Sequence, residues 1–269
     1  NSRSQSKFGT ISEITYIQIL MALYCIGDIH GKFSELTKVL SELPTGAQVI
    51  CVGDIGLGFS DSLGPECLAE VDSIATVRGQ KVWLMRGNHD APEIWHTQRS
   101  EWNVALKSIR IPSDIHRMKV DNIHVMMVGG GTSLDRSHPD RVEGHTWWSN
   151  EGVPSSAPRQ VELMVEAYGR ADILITHAGP IDASPPLSRD KETFEHYAQT
   201  DPTLAEQVKD ERELLSQIVA ASLARTVAFG HYHVSLESHN GPIRYRCCAE
   251  LEAWQYTKRS VLPPLPSQH

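Results

Sequence analysis

The chain has 269 residues, and with 40% of them hydrophobic it can bury a substantial core, so one large α/β domain or two small ones are expected. Asp and Glu outnumber Lys and Arg by 33 to 25, which excludes the basic excess of a dedicated nucleic-acid binder. The longest apolar run, Tyr16 to Ile26 broken by Gln18, is too short to span a bilayer, so no membrane association is expected.

Residues 1–20 precede Met21 and the first strong strand, and they read as a leader or an appended extension; residues 21–269 read as a single domain. Apolar, β-branched runs predict strands over 22–27, 48–53 and 81–86, then over 115–119, 123–128, 172–176, 226–230, 234–238 and 243–249. Between the first two, Phe33, Leu36, Leu40 and Leu43 share one helical face and Pro44 ends the helix, which makes a β-α-β unit. A second helix is signalled by Asp201 as its cap, Pro202 in its first turn and an apolar stripe of Leu204, Val208, Leu215 and Val219. Two long stretches, 129–158 and 179–201, are rich in Gly, Pro, Ser and charge and read as irregular loops of the length that usually carries function. The later strands lie close together around turn signals such as Asn240-Gly241, so a more antiparallel second sheet is expected, stacked on the first and flanked by helices.

The five cysteines are an odd number without metal-pair spacing, which points to the cytoplasm. Cys25 and Cys51 sit in apolar strands as small hydrophobes, and the adjacent Cys247 and Cys248 would face opposite sides of a strand.

Five short polar motifs each follow an apolar strand: Gly27-Asp28-Ile29-His30-Gly31, Gly53-Asp54, Gly87-Asn88-His89-Asp90, Thr176-His177 and Gly230-His231-Tyr232-His233. In an α/β sheet, ligands gather beyond the carboxyl ends of the strands, so these five termini can converge on one crevice. Extended backbone would point Asp28 and His30 to one side, and likewise His231 and His233. An isolated Gly-Asp or a lone His is ordinarily a turn residue, whereas five in order at strand ends form a ligand set. Carboxylate and imidazole groups suit manganese, iron, zinc or cobalt, and the lack of cysteine ligands argues against a structural zinc site. A shared carboxylate such as Asp54 can hold two ions about 3.5–4 Å apart.

Over residues 22–233 the chain resembles the calcineurin-like metallophosphoesterases, whose motifs Asp-x-His, Gly-Asp, Gly-Asn-His-Asp/Glu, His and Gly-His-x-His come in this order. The resemblance implies a four-layer α/β/β/α sandwich and two divalent metal ions. It implies one metal site of Asp28, His30, Asp54 and His233, and a second of Asp54, Asn88, His177 and His231. His89 would be the catalytic histidine beside the scissile bond, stabilising charge and protonating the leaving oxygen. The reaction implied is in-line attack on a phosphoester by a hydroxide bridging the ions.

The chain departs from the phosphoprotein phosphatase branch, in which an Asp orients the catalytic histidine and an Arg grips the phosphate; here Leu57 and Gly58 stand at those positions. Arg136 and Arg141, in the loop after Gly129-Gly130-Gly131, are the candidate replacements for substrate binding, and Arg86 could make a local salt bridge. A missing arginine weakens recognition of a dianionic monoester more than of a diester, so phosphodiesters or small-molecule phosphates are the expected substrates. The competing enzyme readings are a phosphomonoesterase or protein phosphatase and a nuclease, the last disfavoured by the acidic composition. A metal-free scaffold of the same fold is the non-enzyme reading, and the complete ligand set argues against it.

Overall fold

The computed structural model describes residues 22–59, 64–183 and 191–258, with the side chains of 191–194 left out. The extension expected over 1–20 lies outside the described residues.

Two sheets carry the architecture. The first has the order β11-β1-β2-β3-β4, formed by β1 (Leu23–Ile26), β2 (Gln48–Cys51), β3 (Lys81–Leu84), β4 (Ile109–Arg110) and β11 (Ala253–Tyr256). Strands β1 to β4 are parallel, and β11 closes one edge antiparallel to β1. The second has the order β5-β6-β7-β8-β10-β9, from β5 (Ile115–Val120), β6 (Ile123–Val128), β7 (Ile173–Thr176), β8 (Thr226–Phe229), β9 (Leu236–Asn240) and β10 (Ile243–Cys247). The expected antiparallel character is confined to its edges, in the β5–β6 and β9–β10 hairpins, while β6, β7, β8 and β10 run parallel through its centre.

Strand alternation builds the layers. Ile50, Val52, Val125, Met127, Ile173 and Ile175 fill one core between the sheets, together with Cys25 and Cys248. Their neighbours Val49, Cys51 and Ile26 face a second core under α1 (Phe33–Glu42) and α2 (Ala69–Val77). Met126, Val128, Leu174 and Cys247 face a third, under α4 (Ala157–Tyr168) and α6 (Leu204–Ser222). A period of two that sends alternate residues to different cores is what a doubly covered sheet requires. The result is an α/β/β/α sandwich, with Cys247 and Cys248 on opposite faces as expected.

Local chemistry explains the helix ends. Helix α1 stops before Pro44, and the buried Gln80 amide donates to the Leu40 and Pro44 carbonyls at 3.0 and 3.1 Å, satisfying acceptors the helix cannot. Helix α6 begins at Leu204, so Asp201 and Pro202 lie before it. Asp201 Oδ1 accepts from the Thr203 amide and hydroxyl in a tight turn rather than from a helical amide. The stretch 179–201 is less irregular than its composition suggests, because α5 (Lys191–Thr200) lies within it. The other loop stays irregular from Gly129 to Ser156, and α4 follows. Helix α3 (Arg99–Ala105) lies beyond a π-helical turn over Ile94–Gln98. No helix among the described residues is long and apolar enough to cross a membrane.

Candidate metal centre

The parallel register puts Ile26, Cys51 and Leu84 level in the first sheet, and Ile175 and Ala228 level in the second. The polar motifs that follow these residues therefore emerge at the same end of the sandwich. Two groups of potential ligands form there and share Asp54: Asp28, His30, Asp54 and His233, and Asp54, His177 and His231.

In the first group, Nε2 of His30 and Nε2 of His233 lie 2.9 Å apart, and the Asp28 Oδ2 carboxylate is 3.0 Å from the latter. Asp54 Oδ2 stands 3.8 Å from His30 Nε2. In the second group, His177 Nε2 is 3.1 Å from the other Asp54 oxygen, 2.9 Å from Asn88 Oδ1 and 3.2 Å from His231 Nδ1. The far nitrogen of His177 is engaged by the Val52 carbonyl at 3.0 Å, which orients the ring and leaves Nε2 for the cluster. Asn88 is turned the same way, its amide donating to Ser133 Oγ at 3.1 Å so that its oxygen faces inward.

These are oxygens and ring nitrogens aimed at one another, with few protons to share, in a site where Asp28, Asp54, Asn88 and His177 are buried. Such a donor set calls for positive charge. Burial pulls His177 down, yet Asp54 and Asp28 carry it up to about 9, so the ring itself answers the carboxylates. Burial would raise Asp54, but His177 and His89 hold it well below the usual carboxylate range. His231 falls to about 3 through burial and the neighbouring His177. The residues thus fit a pair of divalent cations.

The backbone achieves this convergence in a way that alternation did not predict. His30, Asp54, His231 and His233 all have positive φ, at 48°, 48°, 67° and 51°, so they sit in left-handed turns beyond the strand ends. His231 and His233 accordingly part company, one to each group, instead of facing the same way along an extended strand. Close backbone approach is needed at Gly230, where a Cβ would lie 2.1 Å from Asp28 Oδ1, and at Gly53, at φ +116°, where it would lie 2.2 Å from His177 Nδ1.

His89 lies beside the first group. Its ring stacks on Phe59 at 4.7 Å and 7° and meets His30 edge-on at 4.8 Å. Arg141 Nη2 donates to His89 Nε2 at 2.8 Å, while Asp135 Oδ2 accepts from Arg141 Nη2 and Nε at 2.7 and 3.1 Å. Burial lowers His89 to about 4, opposed by Asp54 and helped by Arg141.

Residues 21–235 match the sequence profile of the calcineurin-like phosphoesterases. The chain belongs to this family. Its members are generally metal-dependent hydrolases of phosphoesters, typically with a binuclear divalent centre, and the shared-Asp54 ligand groups have that form. Among solved structures, one that is 13% identical covers 88% of this chain and 99% of its own, with a TM-score of 0.54. The phosphopantetheinyl hydrolase of Mycobacterium tuberculosis is 15% identical, covers 94% of this chain and 99% of its own, and has a TM-score of 0.50. An archaeal phosphodiesterase is 10% identical over 88% of this chain and 99% of its own, with a TM-score of 0.42. At these identities the likeness to the first two concerns the fold alone. No curated protein is significantly similar in sequence.

Of the two arginines considered for the phosphate grip, only Arg141 comes to the centre of this calcineurin-like phosphoesterase. Arg136 is held by Asp201 at 2.6 Å, Gln207 at 2.5 Å and Thr203 at 2.9 Å, tying the 129–156 loop to the start of α6. Arg86 is also committed elsewhere. It is 1% exposed and makes a bidentate pair with Asp114, 2.9 Å for each bond, while donating to the Glu151 and Gly152 carbonyls.

Sequence reading missed several supports. Asp90 is buried and accepts from the amides of Gly87, Ile55, Gly56 and Leu57 at 2.8 to 3.1 Å, clamping the Asp54 loop to the Asn88 loop. Glu211 on α6 accepts from the Thr132 amide and hydroxyl and from the Val153 amide, closing both ends of the Arg141 loop. Ser133 and Glu211 are distant in sequence from what they hold, as Asp90 is from Ile55, Gly56 and Leu57, and only the short Asn88-His89-Asp90 run hinted at any of them.

Arg86→Met should test the weight of this scaffold. It leaves the Asp114 carboxylate buried with, among the described residues, only the exposed His96 at 3.0 Å, and loss of one partner of a buried pair costs about 3–5 kcal/mol. Urea unfolding at neutral pH should show that loss. Burial would raise Asp114, but Arg86 holds its carboxyl below the ordinary value, so the pair's contribution is full above the ordinary carboxylate range. It is lost as pH falls through the lowered value, and the two curves should draw together in acid.

Proposed function

We propose that the chain hydrolyses phosphodiesters or small-molecule phosphates at a centre of two divalent ions, manganese, iron, zinc or cobalt. Asp28, His30, Asp54 and His233 would hold one ion, and Asp54, Asn88, His177 and His231 the other. The observation that carries this reading is the division of Asp54, whose Oδ2 belongs with His30 and whose Oδ1 belongs with His177. When bound, such ions supply Lewis acidity, activating water as the nucleophile and neutralising phosphate oxygens.

The chain's own residues supply the remainder. His89, seated against Phe59, orients its ring beside the first ligand group, where it can stabilise developing charge and, once Arg141 has left Nε2 and the ring has taken up a proton there, give that proton to the leaving oxygen. Arg141, preset by Asp135, offers a guanidinium that can leave His89 Nε2 for a phosphate oxygen. The same reading takes residues 21–269 as one domain, because β11 completes the sheet that β1 begins.

Metal analysis of reconstituted protein should give two ions per chain, and a phosphoester panel with manganese, iron, zinc, cobalt and magnesium should give turnover. One ion or fewer, with no esterase activity under any metal, would favour a scaffold. Arg141→Ala should raise KM about tenfold or more, as expected for loss of a charged contact to phosphate. Unchanged KM with bis(4-nitrophenyl) phosphate and 4-nitrophenyl phosphate alike would remove Arg141 from substrate binding.

A further inference from the structure

The segment that carries Asp54 runs on through Leu57, Gly58 and Phe59. Leu57 is buried in the core under α1 and α2, and Gly58 lies at φ +76°, where a Cβ would fall 2.5 Å from Ala91 Cβ. Neither position can reach the site with a side chain. Phe59 follows this turn at once, and its half-buried ring meets two groups of the site together.

The His89 imidazole stacks on Phe59 with 4.7 Å between centroids and 7° between planes. The Arg141 Cζ lies over the same ring, 5.1 Å from its centroid. Because Arg141 Nη2 donates to His89 Nε2 at 2.8 Å, the phenyl ring cannot stand between them, so both groups share one of its faces.

A parallel stack fixes the plane of a ring and leaves it free to turn within that plane, and an aromatic face attracts a cation without choosing among its N–H directions. Phe59 therefore supplies a constraint that hydrogen bonds do not. It keeps imidazole and guanidinium level with each other while Asp135 and the Thr146 carbonyl hold Arg141 through its N–H groups. Resting on the phosphoester reading above, we infer that Phe59 is a positioning residue that presents His89 and Arg141 as one unit, aligning the proton donor with the phosphate-binding guanidinium. In the phosphoprotein phosphatase branch a carboxylate and an arginine stand on this segment. Here an aromatic face takes up the orienting duty, and the guanidinium arrives from the 129–156 loop.

The test is a pair of double-mutant cycles on the full-length protein, loaded with zinc for titration and spectra and with the most active metal for turnover. Phe59→Leu keeps apolar bulk and removes the aromatic face. It should lower kcat for an alkyl phosphodiester about fivefold and weaken inorganic phosphate, titrated by calorimetry, about fivefold, the contribution of one aromatic or cation–π contact, with metal content unchanged. In a His89→Ala background the same substitution should cost no further kcat, and in an Arg141→Ala background no further phosphate affinity. Phe59→Tyr restores the face and should recover most of both losses. Equal losses with and without His89 or Arg141, no loss in Phe59→Leu, or no recovery in Phe59→Tyr would each overturn the inference. Phosphate titration and the His89 ring proton signals, assigned by their absence from His89→Ala, require no turnover. If no ester is hydrolysed under any metal, the phosphoester reading falls by itself. Phe59→Leu moving those signals downfield, and weakening phosphate only where Arg141 is present, would still uphold the shared platform, and unmoved signals would sink it.

Discussion

Asp54→Asn is expected to reduce kcat/KM by about a thousandfold or more, some 4 kcal/mol of transition-state stabilisation, and to lower the bound metal below two ions per chain. Both oxygens of this carboxylate are used, one by each ligand group, so the substitution weakens both sites together. The amide is nearly the same size, and its oxygen can still accept from the His89 backbone N–H that bonds Oδ1 at 2.8 Å. Folding should therefore survive, and a preserved thermal transition separates loss of chemistry from loss of structure. Two ions retained with near-native turnover would refute the bridging role.

His89→Ala should lower kcat about 10²- to 10⁴-fold, the usual range for a positioned acid or base, while leaving metal content at two ions. That contrast with Asp54→Asn is the diagnostic point. His89 belongs to neither ligand group, and its ring is held by Phe59 and Arg141. A parallel fall in metal content would make His89 a support for the ligands instead. The loss should also depend on the leaving group. Esters of acidic phenols, which depart without a proton, should suffer less than alkyl esters, and an equal loss across both would contradict proton donation.

The fold was legible where apolar strands end abruptly in polar residues. Runs such as Ile173–Thr176 are buried on both faces, so the polar residue that follows each one is necessarily at the sheet's edge. That is why the candidate ligands could be named from order alone. Strand β4 has two residues and β11 only four, one side of which is exposed, so neither carries a period long enough to detect. Helix α5, KETFEHYAQT, has no broad apolar stripe and reads as loop by composition. The site was harder to read at the level of side chains. Nothing in His231-Tyr232-His233 signals that both histidines take left-handed backbone, because that conformation is imposed by tertiary packing. The meeting of Asp135 and Arg141 with His89, 46 and 52 positions away, is likewise a property of the folded loop.

The four left-handed residues also bear on how this chain can change. His30, Asp54, His231 and His233 each hold a conformation that costs an L-residue about 1 kcal/mol and a glycine almost nothing. A library selected purely for thermal resistance, in the presence of chelator, should therefore enrich Gly and Asn at the part-exposed His30 and His233, whereas the buried Asp54 is retained by the His89 amide and the His177 ring it pairs with. The centre would be the first part of the molecule to erode under that regime, and its persistence in a lineage would itself record selection for catalysis.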